Sequence, residues 1–244
     1  MTTPMKISRG PMSLATQSGR FQQAGLSLVE LMISMVLGLI IVAAVFNIYT
    51  GNSRTARFTE GLQIMQENGR YGVSVLQRGL RLAGFSTDGY IDALDISESG
   101  DSSIAVRSEQ DYDCNGLLTT ATNGIAVNVY RHDAVNQQLT CQGNQGGTAM
   151  PIVEGVEAFR LLYGIDSDGD ENTSAPQLYR SYDSSINPQE IVALRFALLV
   201  NSETPIRTRR SAESFVVLDQ VVSPTPDRMA REVFSSTVML RNRQ

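Results

Sequence analysis

From Leu31 to Ser53 the chain carries no charged side chain, and the first sixteen of these residues, through Phe46, are almost wholly apolar. A run of this length can cross a bilayer as a helix, because about 20 apolar residues at 1.5 Å each span the hydrocarbon layer. It is preceded by a basic leader: residues 1–25 hold Lys6, Arg9 and Arg20 and no acid, and Lys6 is the single lysine of the chain. Lys and Arg beside a spanning helix stay on the cytoplasmic side, so the expected topology is N-in, C-out, with the bulk of the chain beyond the membrane.

Composition narrows the rest. The 244 residues are 42% hydrophobic and 18% charged, with 20 Gly, 2 Cys and no Trp, which excludes collagen-like, disulfide-scaffold and wholly disordered classes. The length admits one large domain or two small ones with a sizeable core. The formal charge is −5, and without the leader 17 Arg face 25 acids, a net charge of −8. That balance gives no electrostatic reason to expect a nucleic-acid partner.

A cleaved secretory signal has a shorter apolar stretch ending in a small-x-small site, and Val42-Ala43-Ala44-Val45 offers no Ala-x-Ala. A plain signal anchor fits the length and flanks but leaves Glu30 unexplained. A carboxylate at the edge of hydrocarbon is costly, so an unpaired anchor has reason to avoid it. Snorkelling to the headgroups is the bland solution, and a partner is the other.

The segment Gly25-Leu26-Ser27-Leu28-Val29-Glu30-Leu31-Met32 resembles the class III signal of the type IV pilin superfamily, although Leu26 stands where that family usually has Phe. The resemblance implies cleavage by prepilin peptidase after Gly25, N-methylation of Leu26 and retention of the helix. It also implies that the Glu30 carboxylate meets the free ammonium of a neighbouring subunit's first residue, a registration device in a filament of stacked helices.

Beyond Gly51 an amphipathic helix is expected to about residue 84. Phe58, Leu62, Met65, Gly72, Leu76, Leu80 and Ala83 recur at helical spacing, with Gln63, Gln66, Arg70, Gln77 and Arg81 opposite. Gly51, Gly69, Gly72 and Gly79 each cost up to about 1 kcal/mol against Ala, so the apolar face should lean on a globular head. Gly84 is the expected C-cap.

After Gly84 the helical period gives way to turn dipeptides between short β-branched or alternating runs. Candidate strands are Ser103 to Arg107, Gly124 to Arg131, Val156 to Tyr163, Ile191 to Val200, Ser214 to Leu218 and Val233 to Leu240. In the clearest, Val192, Leu194, Phe196, Leu198 and Val200 share a core face and Arg195 stands on the other. No helical pattern separates the strands, which favours an antiparallel sheet. The expected class is α+β: a leader over 1–25, a membrane or filament-core helix over 26–50, its amphipathic continuation over 51–84 and a β-rich head over 85–244. The helix lying across one face of the sheet is implied by the pilin resemblance alone. The stretches Val156–Asp166 and Val233–Arg243 further resemble PilW-type minor pilins.

Cys114 and Cys141 are the two cysteines, and the topology puts both where disulfides persist. One intramolecular bridge is open to them, against free thiols or an intermolecular bond. Asp166-Ser167-Asp168-Gly169-Asp170-Glu171-Asn172 gathers oxygen ligands at every second position, a pattern that suits calcium through Asp166, Asp168, Asp170 and Asn172. It is not an EF-hand, since Gly169 is fourth and Gln177 twelfth, and the alternative is a solvated hairpin tip. No other cofactor is implied. His132 beside Asp133 reads as a surface or turn residue, with no constellation for catalysis around it. Arg207, Arg209 and Arg210 read as a solvated loop, with a partner or DNA contact as the alternative.

The functional expectation is a non-enzymatic minor pilin held in the bacterial inner membrane and packed into a type IV pilus, in a priming or tip complex. Its partners would be other minor and major pilins, prepilin peptidase and the inner-membrane assembly machinery. The rivals are a minor pseudopilin of type II secretion and, from another class, a signal-anchored periplasmic adhesin or enzyme.

Overall fold

The computed structural model describes Gly25, residues 27–166 and residues 176–242. One helix, α1, runs Leu28–Leu82, and eleven strands follow among the described residues. The chain divides into two compact units at Gly51.

In the first unit, α1 begins where Leu31 N–H donates to the Ser27 carbonyl at 3.1 Å. Its large apolar side chains are exposed; Leu28 is 75% exposed and Phe46 65%. An all-apolar helix of this kind belongs in lipid or against other helices, not in water.

In the second unit, residues 52–82 of α1 bury one stripe: Gly61, Met65, Gly69, Gly72, Leu76 and Leu80. The glycines are what lets the sheets approach. A Cβ at Gly72 would sit 2.8 Å from Leu198 Cδ1, one at Gly79 2.6 Å from the Tyr130 hydroxyl, and one at Gly69 would overlap the ring of Phe234. Their propensity cost is thus offset by close packing. Phe58, expected on this face, is instead exposed, because Gly61 and Ile206 occupy the position where the stripe starts. Gln66 and Gln77, expected to face solvent, flank the stripe: Gln66 Nε2 donates to Glu232 Oε2 and Gln77 Nε2 to Ser236 Oγ, the latter at 2.6 Å.

The helix ends as its glycine foretells. Gly84 has φ +79°, and its N–H donates to Arg107 O at 2.9 Å. Asn242 Nδ2 donates to the carbonyls of Arg81 and Ala83 at 3.2 and 3.3 Å, so the far end of the chain caps the helix.

The strands form antiparallel ladders in two main sheets. The first is a meander of β1 (Leu94–Asp95), β2 (Ser103–Glu109), β3 (Ile125–Asp133), β4 (Gln138–Gly143) and β5 (Met150–Glu154). The second, in the order β11-β8-β6-β7, joins β6 (Val156–Ile165), β7 (Leu178–Arg180), β8 (Ile191–Asn201) and β11 (Arg231–Met239). Between β5 and β6 a single residue, Gly155 at φ +71°, turns the chain from one sheet into the other. One core joins both sheets to the helix, through Leu76, Leu80, Val106, Tyr130, Phe196 and Leu198 among others.

β8 differs from the one-faced strand its alternation predicts. Every residue but Arg195 is buried, because the hairpin of β9 (Phe215–Val217) and β10 (Gln220–Val222) packs Val217 against Ala197 and Leu199 on the second face. The α+β class and the antiparallel pairing are as expected; the division into two sheets and a covering hairpin is not.

Candidate assembly site

The amino-terminal motif sits at the start of α1. Gly25 is exposed and outside the helix, while Leu26 and the leader residues 1–24 lie outside the described residues. Glu30 is in the first helical turn, where a carboxylate complements the positive end of the helix dipole. Its backbone carbonyl accepts from Ser34 Oγ at 2.7 Å, and among the described residues no cation pairs with its carboxylate.

In the head, Cys114 and Cys141 are bonded to each other, with Cα atoms 6.3 Å apart. The bridge ties the loop after β2 to β4. Asp113 reinforces it: its carboxylate accepts from the backbone N–H of Asn115 and Leu117 at 3.0 Å each and of Gln145 at 3.1 Å. A Cβ at Gly143 would overlap that carboxylate, which requires glycine there.

Two ion-pair clusters fasten the strand ends. Arg231, its side chain 5% exposed, donates to Glu157 Oε2 at 2.7 Å and grips Asp227 bidentately, with Nη1 at 2.7 Å and Nη2 at 2.5 Å. Asn201 Nδ2 gives Glu157 a second donor at 2.8 Å. The Arg231 guanidinium holds the Asp227 carboxyl below its ordinary range. Arg160 likewise grips Asp219 at 2.7 and 2.9 Å and lowers it, and reaches Asp101 at 2.5 Å. These groups are paired with one another, which marks them as structural.

The remaining sequence candidates separate. Asp166 is buried and its N–H donates to Glu190 O at 2.9 Å, whereas Asp168, Asp170 and Asn172 lie outside the described residues. His132, expected at the surface or in a turn, is on strand β3 and half-buried, with Nε2 bonded to Val156 O at 2.9 Å. The Asp133 carboxylate takes its hydrogen bonds elsewhere, accepting from Val135 N–H, Asn136 N–H and Asn136 Nδ2. The Arg207, Arg209 and Arg210 loop is joined by Arg54, Arg57 and Arg228 around one groove. Sequence reading missed that grouping, since its members are up to 174 positions apart in the chain.

Residues 126–242 match the type IV pilus-assembly protein W family, and residues 20–46 match the prokaryotic N-terminal methylation motif. No curated protein matches the chain. Among solved structures, a type IV-like pilin from Thermus thermophilus is similar at 17% identity, over 72% of this chain and 95% of that one, with a TM-score of 0.46.

Proposed function

Because this chain is a PilW-like type IV pilin, we propose that it is a minor subunit that primes or tips a type IV pilus by packing its apolar helix into the filament core. The observation that carries this reading is the union, in one polypeptide, of the methylation motif over residues 20–46 with the assembly-protein pattern over residues 126–242. A methylation motif beside an apolar helix fits a membrane-anchored pilin. We place the anchor in the inner membrane, with the head beyond it, on the strength of the basic leader.

The sequence of events follows from the charges. The peptidase cuts after Gly25 on the cytoplasmic side and frees the Leu26 ammonium. In the membrane, Glu30 lies at the hydrocarbon edge. On entering a filament its carboxylate takes the ammonium of a neighbour, and two charges that lipid penalises neutralise each other. Residues 26–50 then bury their apolar surface against the helices of other minor and major pilins.

Deletion in the native host tests the assignment. Loss of surface pili, restored by the wild-type gene, supports the pilus reading; intact pili with lost secretion of exoproteins makes the chain a pseudopilin instead.

A further inference from the structure

Arg54, Arg57, Arg207, Arg209, Arg210 and Arg228 line a groove of about 910 Å³ in the second unit. All but Arg207 are exposed, and among the described residues a single carboxylate pairs with them, Glu213 at 2.8 Å from Arg207. Asp227, next to Arg228, also acts on Arg207 through its charge, but the hydrogen bonds of its carboxylate go to Arg231. In a chain of net charge −5, a concavity walled by six arginines is a local inversion that the total conceals. Like charges held together repel, so the cluster calls for a counter-charge.

The groove is built on fixed backbone. The N–H groups of Ile206 and Arg207 both donate to Arg228 O, at 3.0 and 2.9 Å, and Ser211 N–H donates to Asp227 O at 2.8 Å. Ile206 packs onto the helix at Gly61, where a Cβ would come within 2.6 Å of its Cγ2. The arginines of the loop and those of the helix are thereby presented to one ligand.

Position along the chain identifies the ligand. Arg54 is the first charge after the uncharged run that ends at Ser53, and Arg57 follows one turn later. At 1.5 Å per residue, both lie within about 6 Å of the end of that run along the helix. If the run spans a bilayer, as the proposed function requires, this is the depth of the headgroups. Phe58, 42% exposed on the same groove, has the amphipathic surroundings that aromatic residues occupy at membrane interfaces. Basic residues on a translocated flank also oppose the charge bias that orients spanning helices, so their retention needs a compensating contact.

We propose that this groove binds the phosphates of anionic phospholipids in the leaflet that faces the head. Guanidinium forks match phosphate oxygens in pairs, and the contact holds the 205–211 loop at the bilayer surface while the subunit waits in the membrane. Withdrawal of the helix into a filament breaks it. Duplex nucleic acid is the weaker occupant, because at this depth it would have to lie along the negative membrane surface itself.

The proposal rests on the spanning role of α1, and the test separates the two. The full chain is reconstituted in nanodiscs of phosphatidylcholine, with or without a third of the lipid as phosphatidylglycerol, and retained lipids are counted by native mass spectrometry. Two double variants change the loop and the helix contributions to the groove, Arg209→Gln/Arg210→Gln and Arg54→Gln/Arg57→Gln; all four side chains are exposed, so the fold is spared. Selective retention of phosphatidylglycerol, reduced about tenfold by either double variant and weakened by salt, is expected. Equal retention by wild type and both variants overturns the lipid site while leaving the anchor intact. Arginine-dependent binding of soluble glycerol phosphate or of a labelled duplex, without preference for phosphatidylglycerol, also overturns it. Failure to insert into the nanodisc overturns the spanning role and this proposal together.

Discussion

Gly69 of the helix lies directly beneath the ring of Phe234 on β11, so closely that a single added methyl group would overlap three ring carbons. The contact explains why a residue of low helix propensity sits midway along a buried stripe. Gly69→Ala should gain about 1 kcal/mol of propensity but lose about 1–3 kcal/mol to overpacking, a net destabilisation. In thermal unfolding followed by circular dichroism, the midpoint falls, and adding Phe234→Leu recovers part of the loss. A rise in midpoint for Gly69→Ala alone would contradict the packing.

The Cys114–Cys141 bridge closes a loop of 27 residues. The chain-entropy relation gives about 3.5 kcal/mol for such a loop. Replacing both cysteines with serine, or reducing the wild type, should therefore lower the unfolding free energy by that order, read as a lower denaturant midpoint at unchanged m. The cost should be shared by the Asp113 network, so that hydrogen exchange rises first at Asn115, Leu117 and Gln145.

Asp227 and Asp219 make the head acid-sensitive. Each carboxyl is held below its ordinary range by an arginine, Asp227 by Arg231 and Asp219 by Arg160. A carboxyl depressed in the folded state contributes stability that is fully present above its unfolded value, about 3.9, and is lost as the pH falls through the folded value. The unfolding temperature should thus drop below about pH 4, and less steeply in Asp227→Asn. Arg231→Met leaves Glu157, with its side chain 8% exposed, buried without its cation, and should cost about 3 kcal/mol at neutral pH.

Glu30 has no cation among the described residues, and its proposed partner is another subunit's amino terminus. Glu30→Gln should be cleaved and inserted normally yet be lost from filaments, because breaking such a pair costs about 3–5 kcal/mol. Immunoblots of sheared pili against membranes measure this directly; equal incorporation of the variant would remove Glu30 from assembly.

Linear features were legible in the sequence and spatial ones were not. The Gly25–Glu30 motif, the apolar run and the Gly84 helix stop depend on contiguous residues, so their patterns can be read directly. The helix stripe was half legible: Met65, Leu76 and Leu80 recur at the right spacing, but Gly61 and Gly69 carry no hydrophobic signal, and Phe58 carries one without being buried. In β8 the sequence carries the signal on both faces, since Ala197 and Leu199 make the second face apolar as well, the pattern of a strand covered on both sides. β1, β7 and β10, of two or three residues each, are too short for any period. The arginine groove draws on three separate segments, and only the fold brings them together.

The central claim is that the chain enters a filament as a processed pilin, and the mass and amino-terminal peptide of the membrane-extracted protein test it most directly. In cells with active prepilin peptidase the first residue should be Leu26 carrying an N-methyl group, and in cells without it the leader should remain. An intact Met1 in both, or a start near Ala44 independent of the peptidase, would contradict the account.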